Sequence, residues 1–467
     1  MAADNKAIRL RVWLETPVDA AALALFRILF GALAFINICN LREGYQVVAG
    51  LKFKFVFIQG IPEMSPDWVT LHWGLTLLFA FGIMCGLLHR IASAGFLICF
   101  GLFFLQDKCF FMNHYYLILL LSFLMIFVKA NACWSLDALL FRREQGGKSG
   151  NFVPRWHVAI FQAQIVIAYF YAGVAKVSPD WLRGVPTGSQ IRTAFEGTFL
   201  ESVVNTHGAA LAVAYTGMIF DLVIGFLLLA PRTRFVGTLL CLVFHLSNAY
   251  LFDIGVFPWL MIGTLALFWP PDWPRRAMER FFKVAGPAEE TSVSEGYRMR
   301  GPIVIFLSVY LLIQLLLPIR HWAYSGSPAW TGEGRRFAWM MKLREHVHFI
   351  RYYVEDPASG KVILVPIEKE LTGQQFGRHS RDPDMIWQYA QHLRGVFEAL
   401  GLKDPRVFVD TSNSMNGRQF QPLIDRRVDL AHTELSLWKE SPWIVPLRGS
   451  AVDLLIGERP ELPLENQ

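Results

Sequence analysis

Nine long apolar stretches limit most strongly what this chain can fold into. They run over residues 20–39, 68–88, 91–106, 114–130, 157–176, 209–230, 234–250, 253–269 and 301–319. A helix rises about 1.5 Å per residue, so roughly 20 apolar residues cross a hydrocarbon core about 30 Å thick. The pattern predicts a polytopic α-helical membrane protein with about nine transmembrane helices, the third and eighth being short and the shortest a candidate re-entrant segment. Composition agrees: 18% of the 467 residues are charged and 54% are hydrophobic, where a soluble globular protein carries roughly 25% charge. The net charge of +6 does not point to nucleic acid, because the basic residues sit in short loops between apolar runs; membrane lipid is the expected surrounding. The first run lacks a small-x-small cleavage site and is expected to stay as a helix.

Basic residues set the orientation. Lys6, Arg9, Arg11, Arg90, Lys129, Arg142, Arg143, Lys148, Arg155, Arg232, Arg234 and a cluster over 275–300 fall on one side if the N-terminus is cytoplasmic. That bias predicts an odd number of crossings and an extracytoplasmic C-terminus. With this topology Lys108, His114, Lys176 and His245 approach the same outer face, as do Asp180 and Asn248. Lys176 ends the uncharged run IVIAYFYAGVAK. An ammonium there is costly unless it snorkels to the interface, pairs, or loses its proton to burial and so can serve as a base. Arg27 lies inside the first run and is expected to pair with a carboxylate such as Asp221. Asp180 and Trp181 are expected to cap and anchor the helix that Lys176 ends. The six cysteines all precede residue 242 and read as small packed hydrophobes without a disulfide framework.

The composition changes after the ninth run, which divides the chain into a transmembrane domain over 1–319 and an extracytoplasmic domain over 320–467. In the second, HFIRYYVE and KVILVPIE alternate around DPASG as a β-hairpin does, MIWQYAQHLRGVFEAL has helical spacing ending at Gly401, and PRVFVDTS reads as a short strand. A small α+β domain follows from this. Residues 285–298 read as a polar linker. GxSxG, HExxH, P-loop, GxGxxG and CxxC signatures are all absent from the sequence. His346 and His348 share a strand face, but a third ligand is not near in sequence, so a structural or substrate-contact role is favoured over a metal.

Several blocks together resemble one family. YFYAGVAKVSPDWLRG, FHLSNAYLFDIGVFPW, LQDKCFFMNHYYL with ANACWSLDALL, ALALFRILFGALAFIN, LLPIRHW, PAWTGEGRRFAWMMKLREHVH and GRQFQPLIDRRVDLA are similar, in the same order from about residue 18 to about 450, to the vitamin K-dependent γ-glutamyl carboxylases. The helical part is also similar to a broad class of bacterial membrane proteins, the horizontally transferred transmembrane domain type; the outer blocks point to the carboxylase branch.

The resemblance implies that reduced vitamin K, O2 and CO2 convert a peptidyl glutamate to γ-carboxyglutamate while the quinone becomes its epoxide, with no metal. A glutamate γ C–H is too weak an acid for any side-chain base, and in this family O2 and the deprotonated hydroquinone generate the strong base in a dry pocket. By resemblance, Lys176 stands at the position that accepts the hydroquinone proton, and His114 at that of a histidine tied to carboxylation, either positioning CO2 or holding the glutamate carboxylate, unless it is simply an interfacial histidine. His245, Asn248 and Tyr169 are the expected cofactor contacts, with His245 either hydrogen-bonding a quinone oxygen or joining helices. Trp339, Met340, Arg344, His346, His348, Arg418 and Arg427 are candidates for holding a glutamate-containing protein or peptide. A quinone epoxidase without carboxylation and a non-catalytic protein reusing the fold are the alternatives. The sequence departs from the animal enzymes in three respects: it stops at Gln467 where they continue through a further propeptide-binding region, it lacks cysteine in the outer region, and it has Ala175 before the lysine. Substrate recognition is accordingly expected to differ. A bacterial inner membrane is the expected location, with the C-terminal domain periplasmic.

Overall fold

A computed structural model describes residues 2–141, 151–252, 254–282, 297–436 and 439–451. Most of the sequence-predicted linker and the basic residues Arg142, Arg143 and Lys148 lie outside the described residues. Every apolar run contains a helix: α1 Ala21–Asn40, α2 Pro66–Cys85, α3 His89–Gln106, α4 Asn113–Phe127, α5 Trp156–Ala175, α6 His207–Leu229, α7 Arg234–Leu251, α8 Phe257–Thr264 and α9 Gly301–Leu316. Six of them (α1, α2, α3, α5, α6 and α7) are long and apolar enough to cross a membrane. The other three are shorter. The chain turns extended at Val128 after α4, and α8 starts at a proline turn and tightens to a 3-10 turn at Leu265–Leu267. The 20-residue α2 shows how the local signals work: Pro66 occupies its first turn, and Gly86 stops it in a left-handed conformation.

Arg27 does not pair with Asp221. Its guanidinium, fully buried, donates to the carbonyls of Ile83 at 2.8 Å, Met84 at 2.7 Å and Ala130 at 3.1 Å, and also to that of Trp134. The last turn of a helix leaves carbonyl capacity unfilled, here met at Ile83 O only in part by the Gly86 N–H at 3.1 Å, and a cation at a helix C-terminus meets both that need and the helix dipole. A Cβ on Gly86 would lie 2.5 Å from Arg27 Nη1, so glycine is required there by packing as well as by its φ of +64°.

At the end of the bundle near the N-terminus, a two-stranded ladder that sequence periodicity does not reveal pairs Pro17–Asp19 with Phe152–Pro154. Asp19 takes a forked bond from Arg275 at 2.8 and 3.1 Å, and Ala22 N–H reaches Pro271 O at 3.0 Å. Arg11 and Glu15 hold Met299 by its backbone. These contacts gather the N-terminal segment and the 151–155, 271–275 and 297–299 segments at one end.

The opposite end carries the α+β domain. Its sheet is antiparallel, with β1 (His346–Glu355) between β2 (Val362–Val365) and β3 (Arg406–Met415), registered as His346 with Met415 and Glu355 with Arg406. The hairpin and both strand positions match the alternation in sequence, although β3 runs ten residues. α10 (Pro383–Ala399) covers the face bearing Ile350, Tyr352 and Val354, with Ile386, Tyr389 and Leu393 in the same core. Phe55 and Cys109, from connections between the membrane helices, belong to this core too.

Polar bonds fix the two parts further. Lys108 pairs with Asp384 at 2.5 Å rather than facing the membrane site, Gln375 reaches Asp107 at 2.9 Å, and Arg378 donates to Phe111 O at 3.1 Å. Asp180 does not cap the end of α5. It lies in the short helix Pro179–Leu182 that follows, which Ser178 caps, and both Asp180 oxygens receive Arg418 at 2.7 Å while Asn416 adds a bond at 2.8 Å. Trp181 anchors as expected, donating to Ala214 O of α6 at 2.8 Å.

Two outcomes follow from these buried charges. Arg27→Met strands several carbonyls and should cost about 3 kcal/mol or more, read as a large fall in the unfolding temperature of the detergent-solubilised protein, with Arg27→Lys recovering only part; an unchanged temperature contradicts the assignment. Asp180→Asn should leave the helices intact but raise amide hydrogen exchange around 178–183 and 414–418, and unchanged exchange there would show the bridge to be dispensable.

Candidate functional site

Lys176 sits where α5 stops, and a close helix contact decides what it meets. A Cβ on Gly173 would come within 2.7 Å of the Leu222 side chain and 2.8 Å of its backbone nitrogen, so only glycine lets α6 pack this near. The contact sets Asp221 beside the lysine. Lys176 Nζ donates to Asp221 Oδ2 and, at 3.3 Å, to Ala172 O, and lies 5.3 Å from the centre of the Trp181 ring. With 8% of its surface exposed, Lys176 points inward instead of snorkelling. The pair carries no net charge, which lessens the cost of burying either ion.

The pair forms part of the wall of a cavity of about 1430 Å³ at the junction of the helices with the α+β domain. His114, Tyr169, His245 and Asn248 line the same cavity from α4, α5 and α7, and Trp339, Met340 and Arg344 line it from beyond α9. Tyr169 Oη and His245 Nε2 are 2.6 Å apart, with Cys241 Sγ 3.7 Å from the hydroxyl. Phe257 stands beside both imidazoles, its ring centre 6.2 Å from that of His114 and 6.1 Å from that of His245. His114 packs edge-on against Tyr115 at 4.4 Å. Five cavity residues bear a buried polar atom without a partner among the described residues: Asn37 Nδ2, Asn113 Oδ1, His245 Nδ1, Arg335 Nε and Trp339 Nε1. Buried polar groups are normally satisfied, so these atoms mark capacity for a bound molecule. Val213, Leu240 and Val243 line the cavity while remaining exposed on the outside of α6 and α7, giving it an apolar side at the bundle surface.

The remaining site candidates lie elsewhere. His346 and His348 continue the core-facing row of β1 and do not line the cavity. His346 stacks on Trp330, ring centres 6.2 Å apart, and its basicity falls well below the usual histidine range through burial and the nearby Arg344 and Arg381. Arg418 is committed to Asp180, so it does not face a substrate carboxylate from the cavity wall. Arg427 is paired with Asp425 on the surface; that partnership holds the Asp425 carboxyl down at about 2. Among the described residues no group of three or more His, Cys, Asp or Glu is arranged to hold a metal ion.

Sequence reasoning missed the cavity roof. Phe337, Trp339 and Lys342 all have positive φ, at 64°, 57° and 57°, a conformation that costs a bulky residue roughly 1–3 kcal/mol and persists only where surroundings impose it. Here they do: Trp339 is 1% exposed and packs on Tyr116 at 5.1 Å, Asn113 donates to Met340 O at 3.0 Å, and Gln190 donates to Lys342 O at 2.9 Å. Gln190 comes from the helix Val185–Phe195, in a connection too polar to read as an element of the apolar pattern. Arg335, Arg378 and Arg381 join Arg344 in the lining. Burial, reinforced by neighbouring guanidiniums, pulls Arg335 down to about 10 and Arg344 and Arg381 below the usual arginine range. Asp382 goes the other way: burial opposes its charge, but Arg336, Arg335 and Arg344 outweigh it and keep the carboxyl low.

This arrangement joins a buried lysine–carboxylate pair, a tyrosine–histidine pair and a basic roof around one large apolar-sided space. No solved structure matches the chain. Residues 15–273 match the HTTM domain family, and residues 300–450 match the family described as the vitamin K-dependent gamma-carboxylase lumenal domain. The first match spans the helices that carry Lys176, Asp221, His114 and His245, the second spans the roof, and the chain that unites them is an integral membrane protein belonging to the vitamin K-dependent gamma-carboxylase family.

Proposed function

We propose that the cavity is the active site of a vitamin K-dependent peptidyl-glutamate carboxylase, in which oxidation of reduced vitamin K to its epoxide by O2 is coupled to CO2 addition to a glutamate. The observation that carries this reading is the inward-facing Lys176–Asp221 pair in a cavity shared by both family domains. About 1430 Å³ exceeds the roughly 300–1,000 Å³ of an ordinary small-molecule site, leaving room for a quinone head and a peptide side chain together. The unpartnered polar atoms suit a ring with two oxygens, and the apolar side between α6 and α7 suits an isoprenoid tail. When bound, reduced vitamin K would supply, with O2, the strong base that no side chain provides.

The residues divide the remaining work. Lys176 Nζ can give one of its own protons to Asp221 Oδ2 and take the incoming proton on the lone pair so freed, so the base is the pair and not a lone amine; the pair ends as an ammonium beside a carboxylic acid, and the ammonium faces an oxyanion. Tyr169 and His245 fix each other's orientation and leave His245 Nδ1 free for a quinone oxygen. Asn248, three residues on, shares that face. His114 has no hydrogen-bond partner among the described residues and stands free to contact CO2 or the glutamate carboxylate. Trp339 and Met340 cover the space against water, and Arg344 takes the carboxylate of the peptide. His346, His348 and Arg418 support the roof from behind.

The membrane arrangement belongs to the same proposal. All nine apolar helices cross, the three short ones included, with the transmembrane domain over 1–319 and the second domain over 320–467. Support comes from the contacts: the connections before α2, after α3, after α5 and after α7 all meet the second domain or its approach, whereas the segments carrying Arg11, Arg155 and Arg275 gather at the other end. A bacterial inner membrane with the second domain in the periplasm fits this polarity.

Incubating the purified protein with reduced vitamin K, labelled CO2 and a short glutamate peptide tests the reading. Label in the peptide together with epoxide is expected; epoxide alone leaves only a quinone epoxidase, and neither product overturns the proposal. Lys176→Ala should abolish epoxide formation with the protein still folded in the membrane, and normal epoxidation would sink the assignment. Asp221→Asn should reduce epoxidation roughly 100-fold or more and shift its pH profile, while Lys176→Met combined with Asp221→Asn restores stability but no turnover.

A further inference from the structure

The roof of the cavity holds more positive charge than one substrate carboxylate can match. Arg335, Arg344, Arg378 and Arg381 all line it, and none has a carboxylate within ion-pair distance among the described residues. The two nearby carboxylates are already engaged: Arg336 binds Asp382 and Asp384 at 2.8 Å each, and Lys108 binds Asp384 at 2.5 Å. What Arg344 and Arg378 touch instead is neutral. Arg344 donates to Ala329 O at 2.5 Å and Arg378 to Phe111 O at 3.1 Å, while Arg335 Nε is buried with no partner. Behind the roof, outside the cavity lining, both ring nitrogens of His346 and Nδ1 of His348 are buried and unpartnered as well and bring no negative charge to it. Imidazoles crowded by guanidiniums stay neutral, since burial and the positive neighbours both oppose a further charge. Like charges gathered in a half-enclosed space repel unless an anion enters.

We propose that this roof is a dianion site: it recognises an acidic peptide that presents two carboxylates close together, and binds it in preference to a peptide with one. The proposal rests on the reading of the cavity as a glutamyl-peptide site and adds the number of charges that the site is built to take. Guanidiniums from two segments, 335–344 and 378–381, face the same space, so two carboxylates can each receive a forked pair of N–H donors. Two sources share this chemistry: a geminal dicarboxylate, as in a γ-carboxylated side chain, and two neighbouring glutamates of one acidic segment. Either places its second charge against a guanidinium that a single glutamate leaves bare. A site of this kind holds a carboxylated side chain after reaction and draws acidic clusters ahead of isolated glutamates.

Binding separates this from turnover. Fluorescence-anisotropy titration of the full-length protein, without reduced vitamin K or O2, would compare equal-length labelled peptides bearing one glutamate, one γ-carboxyglutamate, or two adjacent glutamates. At least one dicarboxylate peptide is expected to bind roughly tenfold or more tightly than the single-glutamate peptide; which one does so names the source. Arg335→Gln and Arg381→Gln should reduce that preference to within a factor of about three while single-glutamate binding persists, and free malonate should compete better than acetate with the unmodified protein even if a variant fails to fold. Equal affinity for all three peptides overturns the proposal, as does displacement of all of them alike by a short-chain anionic phospholipid. Preference without any turnover would overturn the carboxylase reading alone; turnover without preference would overturn this one alone.

Discussion

A lysine held against an aspartate inside a helical bundle constrains everything around it. Neither ion survives alone in an apolar interior at acceptable cost, so the two must arrive together, from α5 and α6, and stay within hydrogen-bonding distance. Gly173 makes this possible by allowing Leu222 to close on α5, and Trp181 completes the enclosure by covering the lysine and tying the end of α5 to α6. Arg27 meets the same constraint by another route, spreading its charge over backbone carbonyls at the end of α2. One cation is locked into architecture, while the other faces a cavity with a partner able to share its proton. That difference in partner, rather than depth or burial, separates a structural charge from a candidate catalytic one.

Much of the helical part was legible because hydropathy is a strong local signal. The first six runs and the seventh coincide with helices to within a few residues, since a run of that length has no other way to satisfy its backbone in hydrocarbon. The hairpin around DPASG and the helix ending before Gly401 were equally plain, being set by alternation and turn chemistry. What failed was pairing. Sequence alone could not say that Asp221 belongs to Lys176 and not to Arg27, that Asp180 belongs to Arg418, or that Lys108 belongs to Asp384. Each is a long-range choice among chemically equivalent partners, decided by helix packing and domain docking. The roof was illegible for a related reason: Arg335, Arg378 and Arg381 look like surface charge until the fold turns them toward a common space.

The cavity belongs to neither part of the chain by itself. Its lower wall comes from α4, α5, α6 and α7, and its upper wall from a segment whose backbone is strained at Phe337, Trp339 and Lys342. Strain of that kind persists only while burial of Trp339 among the membrane helices and the bonds from Asn113 and Gln190 hold it. The Asp180–Arg418 bridge ties the sheet end of the outer domain to the residue four positions past Lys176. Docking of the outer domain and completion of the candidate site are therefore one event, with the lysine and the roof held in fixed relation.

The distribution of charge across this space has a further consequence. At the floor, Lys176 and Asp221 cancel; at the roof, Arg335, Arg344, Arg378 and Arg381 have no carboxylate at ion-pair distance among the described residues. A carboxylate entering the cavity thus falls in electrostatic energy as it approaches the roof and gains little from the floor, because a neutral pair offers it a dipole and no net charge. On the proposed reading this keeps the glutamate away from the one proton-accepting pair that it could otherwise occupy as a competing salt bridge with Lys176. Separation of the two charges by the apolar and aromatic middle of the cavity, with Phe257 beside His114 and His245, lets a ring and a carboxylate be present together. Each then meets the group whose electrostatics suit it, and neither has to be displaced for the other to bind.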